Sequence, residues 1–268
     1  EAGLLKVYIG IESPNVASLK ETKKHHNVRS NMIEDLKKIN QFGIQIIGST
    51  IVGFDNDDLS IFKMQFDFFM KTGIPKVHVY PLQARDGTRL KEKMISENRY
   101  LDWERKNGTD EIYRNLESFT IVPKQMNIKQ LQQGAYWLVW NLYQLEHVTQ
   151  RMNNFFETFS ASPYRKDLHI PGVALSWEKF KILMRVVKFL STEASSSERK
   201  RFRKLVRLGL KSSYPRWQEM VIGQFFIAKN IQDMLRAQYD AEGQFEYPSP
   251  EMSLVGSEQG IDSVKSLN

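Results

Sequence analysis

Polar or glycine-bearing residues follow each of three apolar segments in this 268-residue chain, and their types are the ones that could do chemistry. Glu12 and Ser13 follow the run 7–11, Gly53, Asp55, Asp57 and Asp58 follow 44–52, and Leu82, Gln83, Gly87 and Thr88 close 77–82. A carboxylate is an acceptor-only group suited to a pair of hydroxyl donors. A glycine lets a ligand approach the backbone closely. The plain reading competes with both, because loops after strands need turn formers and helix caps, and Asp57 or Asp58 capping the next helix accounts for the acidic cluster without a ligand. Other candidates carry less. His25 and His26 are neighbours, which on a helix point about 100° apart and suit joint metal ligation poorly. His78, His147 and His169 are solitary and read as surface or hydrogen-bonded core residues. Glu34-Asp35 and Asp57-Asp58 are adjacent along the chain and do not form acid/base pairs facing across a cleft. No serine lies in a nucleophile-elbow context and no glycine-rich phosphate loop occurs. The chain has no cysteine, which removes disulfides, thiolate ligands and thiol nucleophiles together.

The elements that must position these residues follow from periodicity. Strands are expected near 6–11, 44–52 and 77–82, the first read as covered on both faces because of its β-branched run. Helices are expected over 16–24, 30–42 and 59–71, with Gly43 and Gly73 as stops. Strand and helix in alternation, with short links, predict parallel strands joined by right-handed crossovers and ligands at the strands' carboxyl ends. From about residue 100 the pattern changes. A charged segment, 101–116, is followed by a short extended stretch, 119–123, and Asn127 caps a long helix. Further helices are expected over 148–159, 177–190, 198–210 and 217–239, their aromatics serving as bundle core rather than cofactor box. The domains expected are 1–106 for the α/β part, 107–240 for a helical part, and a disordered tail at 241–268 from its Pro, Gly, Ser and Glu content.

The wording at the three strand ends is more specific. Ile9-Gly10-Ile11-Glu12-Ser13-Pro14 is followed by Leu19-Lys20-Glu21-Thr22-Lys23-Lys24, then by Ile51-Val52-Gly53-Phe54-Asp55-Asn56-Asp57, then by Pro81-Leu82-Gln83-Ala84 with Gly87, Thr88 and Leu90. In this order and spacing the segments resemble the radical S-adenosylmethionine (SAM) enzymes, most of all the subgroup with a cobalamin-binding domain before the barrel. The resemblance is close over 3–105 and looser after 119. It implies an α/β fold in which the strands are the fourth to sixth of a partial (β/α)6 barrel, followed by an all-helical domain. It implies that Glu12 binds the ribose hydroxyls of SAM, assisted by Ser13. Lys24 falls near the methionyl carboxylate, where related methylthiotransferases carry an arginine. Ile51 and Gly53 accommodate adenine, and Leu82 and Gln83 read its amino group through the backbone. Asp57 stands where the family often has Glu and is read as a helix cap.

The family's chemistry needs a [4Fe-4S] cluster held by three closely spaced cysteines, and this chain has none. The chain is therefore expected to be the C-terminal part of a radical SAM enzyme, inactive alone, with the missing N-terminal part as its partner and holder of the cluster and cobalamin. That it starts at Glu1, a few residues before the first strand, adds the expectation of an exposed edge and of aggregation or a partly molten state when expressed alone. The parent reaction implied is radical functionalisation of an unactivated carbon, including methyl transfer, on an unidentified small molecule or lipid.

The net charge of +7 owes most to the basic run 199–216, whose default reading is a solvated amphipathic helix. Two rival readings remain open. In one the chain is a non-catalytic protein holding nucleic acid or an anionic membrane through that run. In the other it is a degenerate radical SAM scaffold. No stretch approaches the roughly 18 apolar residues of a membrane span, and the expected location is the cytoplasm.

Overall fold

A computed structural model describes residues 3–21, 31–101, 119–172, 176–239 and 245–251. Three strands, β1 (Lys6–Glu12), β2 (Gln45–Val52) and β3 (Lys76–Pro81), form one parallel sheet in the order β1-β2-β3. Val7 pairs with Ile46, Gly10 with Ser49, and Ile47 with Lys76. Helices α1 (Val16–Glu21), α2 (Met32–Gln41) and α3 (Ile61–Met70) make the crossovers. The protein is thus a mixed α/β fold with a small parallel sheet and many helices.

The first strand is not covered on both faces. Val7, Ile9 and Ile11 of β1, Ile46 and Val52 of β2, and Val77 and Val79 of β3 join the hydrophobic core, whereas Tyr8 is 55% exposed. Polar residues at every second position explain this: a period of two sends one set of side chains to the helices and the other away from them.

Among the described residues six further helices follow: α4 (Arg89–Ser96), α5 (Ile128–Leu142), α6 (Leu145–Ser160), α7 (Trp177–Thr192), α8 (Ser196–Lys211) and α9 (Trp217–Tyr239). The short α4 was not foreseen from the sequence; Thr88 caps it, its hydroxyl accepting from the Lys91 N–H at 3.3 Å. Asn127 and Gln130 start α5 as a capping box. This helix runs from Leu131, beside Gly53, to the sheet's other end, where Tyr143, its C-cap, meets Val77.

Helix α6 closes the amino end of the sheet. Its Arg151 is fully buried and donates to the carbonyls of Ile74 (2.8 Å), Pro75 (3.2 Å) and Leu142 (2.6 Å), and burial pushes its pKa down to about 10. Asn154 donates to the Met70 and Thr72 carbonyls. Tyr214, just before α9, donates to the Gly43 carbonyl at 3.0 Å and accepts from Gln45 at 3.2 Å. The loops that follow Glu12, Val52 and Pro81 lie at the strands' carboxyl ends, with Leu131 of α5 beside Gly53.

The main hydrophobic cluster draws on both expected domains, joining Ile46 and Val77 to Leu138, Phe155, Tyr214 and Phe225, and a smaller one gathers Ala84, Met94 and Ile121. The tail also differs from expectation over 245–251. Phe245 stacks on Trp140 at 4.3 Å, Tyr247 packs edge-on against Trp137 at 4.8 Å, and Gln130 donates to the Ser249 carbonyl. Two aromatics suffice to dock a segment whose composition reads as disordered. No helix among the described residues is long and apolar enough to cross a membrane.

Candidate functional site

The chemistry-bearing residues collect at the carboxyl ends of the strands and on the sheet face turned from the helices. At the end of β1 the backbone makes a tight turn centred on Glu12, the Ser13 N–H donating to the Ile11 carbonyl at 2.9 Å. Glu12 itself has φ 64°, in the left-handed region that costs an L-residue roughly 1–2 kcal/mol. The ladder to β2 shifts register between Gly10 and Glu12. The turn folds the Glu12 side chain back over the sheet. A Cβ on Gly10 would stand 2.7 Å from Glu12 Oε1, so a side chain at position 10 would push the end of the Glu12 side chain aside. The Thr50 hydroxyl, with one proton to share, lies 2.9 Å from the Glu12 carbonyl and 2.7 Å from the Gln65 side-chain oxygen of α3, linking the turn to that helix.

Ser13 has another task. It is fully buried, and its hydroxyl accepts from the Asn15 N–H at 3.1 Å, shaping the entry to α1. Asn15 reaches across to the Asn56 carbonyl at 3.1 Å, tying the loop after β1 to the loop after β2.

The acidic loop after β2 is consumed by the fold. Asp57 is fully buried and accepts from the Gly53 and Phe54 N–H groups, both at 3.0 Å, and from the Ser18 hydroxyl at 2.6 Å. It is not the expected helix cap, because Ser60 occupies the N-cap of α3. Asp58 accepts from Ser60, N–H at 2.8 Å and hydroxyl at 2.5 Å. Asp55 meets Arg99 at 2.5 Å, Lys93 at 2.7 Å and Lys124 at 3.4 Å. Burial alone would raise its pKa, but hydrogen bonds from Arg99 and Lys93 and the charges of both hold it at about 2. Gly53 has φ 97°, and a Cβ there would lie 3.1 Å from Leu131 of α5. Glycine at this position is accounted for by the turn and by α5, and its N–H is already bonded to Asp57.

Leu82 extends the ladder, its N–H donating to the Val52 carbonyl at 2.8 Å, and packs with Ala84, Met94 and Ile121. Gln83 follows it, half-buried, at the same end of the sheet. Ile51 lies half-buried on the face turned from the helices, level with Tyr80. Lys24, His25 and His26 lie outside the described residues.

A group that sequence reasoning missed occupies the same face. His78 sits level with Ser49, and through it with Gly10. Its Nδ1 is 3.2 Å from the Tyr80 hydroxyl, and Tyr8 packs edge-on against its ring at 5.8 Å. Burial, aided by the Lys76 charge, lowers its pKa below the ordinary 6.5. Polar residues at 76, 78 and 80, alternating with Val77 and Val79, were the available signal. This face therefore carries a carboxylate, a serine hydroxyl, an imidazole and two phenols around a half-buried isoleucine. Such a set can bind a polar, partly aromatic ligand and hold a proton beside it. Among the described residues there is no group of three histidines, cysteines or acids that could hold a metal ion.

The chain is similar to two curated proteins over about a third of its length. One is an uncharacterized methyltransferase, sll1242, of Synechocystis sp., 34% identical over 96 residues, which are 36% of this chain and 18% of the relative. The other is a hopanoid C-2 methylase of Rhodopseudomonas palustris (strain TIE-1), 29% identical over 99 residues, 37% of this chain and 19% of the relative. The matched stretch spans less than a fifth of either relative. No solved structure gives a significant match. The family model described as a domain of unknown function, DUF4070, matches residues 88–239, more than half of the chain, and the chain belongs to that family.

Proposed function

We propose that these residues supply part of the SAM site and the helical C-terminal portion of a radical SAM methylase. The single observation that carries the reading is the strained turn at Glu12. A left-handed carboxylate residue kept at the carboxyl end of a strand, its side chain folded over a glycine, is a costly backbone arrangement of the kind that collects at ligand sites. The two relatives named as a methyltransferase and a methylase support the same chemistry.

In this reading Glu12 accepts from the two ribose hydroxyls, Ile51 offers an apolar surface to adenine, and the backbone after Leu82, at Gln83, reads the adenine edge. Ser13, Gly53 and Asp57 hold the loops in place and touch the ligand no further than through that. SAM supplies the methyl group and, when cleaved reductively, the radical that opens an unactivated C–H bond. The residues present do not fit an iron-sulfur cluster, since the chain has no cysteine and the described residues offer no other donor set. We therefore assign the cluster, and the cobalamin that the finer reading calls for, to residues outside those in hand. The barrel reading goes with it: β1, β2 and β3 are the C-terminal strands of a partial barrel whose inner face carries Glu12, Ser49 and His78.

Binding of S-adenosylhomocysteine, followed by calorimetry, tests this. Glu12→Gln should weaken it about tenfold by removing charge-assisted hydrogen bonds. Glu12→Gly should weaken it at least as much while raising the melting temperature, because glycine adopts the turn without strain. Binding that is indifferent to both changes would remove Glu12 from the site.

A further inference from the structure

Helix α7 has more apolar surface than the fold uses. Its inner side is anchored in the ordinary way: Val186 is buried, and Phe189 packs on Phe225 of α9 at 5.8 Å. Its outer side carries Trp177, Phe180, Met184 and Val187, which are 68%, 37%, 48% and 46% exposed. Positions three, seven and ten residues after Trp177 form one stripe along a helix. Trp177 and Phe180 stack with ring centroids 5.5 Å apart, so the pair is already ordered before anything covers it.

Beside the stripe, on the same outward arc, lie the exposed Lys181, Arg185 and Lys188. The Lys181 ammonium is 5.7 Å from the Trp177 ring. The acid of the helix, Glu178, belongs to the first turn. An aromatic-led apolar stripe flanked by cations with long stems is the pattern of a helix lying in a lipid interface, rings at the acyl boundary and ammonium groups among phosphates. At 16 residues α7 is too short and too charged to span, but suited to lie flat. The next helix, α8, adds exposed cations at Lys200, Arg203, Lys204 and Arg207.

We propose that the outer face of α7 docks on an anionic lipid bilayer, with Trp177 and Phe180 as its apolar anchors and Lys181, Arg185 and Lys188 as its headgroup contacts. Charge complementarity selects this occupant, because a second copy of the chain would bring the same cations against themselves. Nucleic acid would explain the cations and the two stacked rings but leaves Met184 and Val187 without a purpose. The surface does not rest on the SAM reading, since none of its residues lies at the strand ends.

Vesicle flotation provides the test, with phosphatidylcholine vesicles compared to vesicles that also contain phosphatidylglycerol. The protein should float with the anionic vesicles and not with the neutral ones. The double variants Trp177→Ser/Phe180→Ser and Lys181→Glu/Lys188→Glu should each lower the partition coefficient by about tenfold or more. All four residues are on the surface, so their circular-dichroism melts should match the parent's. Failure of the parent protein to float, or flotation that survives the Trp177/Phe180 change, would overturn the proposal. So would a dimer in sedimentation that the same change dissociates, or a single-stranded oligonucleotide bound through these residues in place of lipid.

Discussion

At the scale of single residues, the sheet face holds two groups whose states are set by opposite means. Glu12 is placed by the left-handed turn at the end of β1, and its carboxylate lies over Gly10. His78 is placed by packing, and its environment selects the neutral ring: burial first, then the Lys76 charge, lower its pKa from 6.5. Between the lowered folded value and 6.5 the unfolded chain binds more protons than the folded one, so stability rises with pH through that window and is lost as pH falls through it. Thermal melts between about pH 7.5 and about pH 5.5 should therefore show a fall in melting temperature that His78→Gln reduces. An identical pH dependence in the two proteins would show that His78 is not a source of it. The same neutral imidazole, 3.2 Å from the Tyr80 hydroxyl, is the group best placed to take or give a proton on this face.

At the scale of elements, β3 shows how a small open sheet protects an edge. The Tyr143 hydroxyl accepts from the Val77 N–H at 3.1 Å and donates to the Val77 carbonyl at 2.9 Å, occupying both edge-facing groups of that residue. Tyr143 is buried, and that burial pushes its pKa up to about 12, so it remains a donor at any working pH. Tyr143→Phe leaves two buried backbone groups without partners and should cost about 2 kcal/mol or more in urea denaturation. A loss below about 0.5 kcal/mol would mean that the edge finds other partners. The parallel sheet was legible in the sequence because short β-branched runs alternate with helical segments stopped at Gly43 and Gly73. The two-sidedness of the strands was equally written, in Lys6, Tyr8, Gly10 and Glu12 against Val7, Ile9 and Ile11, but the apolar run masked it. What the sequence could not show is who holds the acidic loop. Besides local backbone groups, Asp55 and Asp57 are held by the side chains of Arg99, Lys93 and Ser18, 44, 38 and 39 residues away, and no local pattern encodes such pairs. The helix α4 escaped notice for a related reason: its burial rests on Met94, and charged residues fill half of its length.

At the scale of the whole molecule, the question is whether a sheet of three strands with an accessible face is held firmly enough to present Glu12. An exposed first strand taken alone argues for a loosely packed chain. The core argues otherwise, because several of its cross-links run from the helical region into the sheet and its crossover helices. Arg151 of α6 grips the carbonyls before β3, Tyr214 grips both ends of the turn before β2, Leu131 of α5 packs on Gly53, and Tyr247 packs against Phe62 of α3. Removing the helical region would leave the Ile74 and Pro75 carbonyls and Val77's edge unsatisfied, and removing the sheet would strip the inner faces of α5 and α6. Neither part keeps its hydrogen bonds without the other, so the two should unfold together. Differential scanning calorimetry should show one transition whose calorimetric and van't Hoff enthalpies agree, with Arg151→Met shifting the whole transition downward. Two resolved transitions, or a shift confined to one of them, would mean that residues 1–106 and 107–240 fold separately and that the helical region is a removable cap.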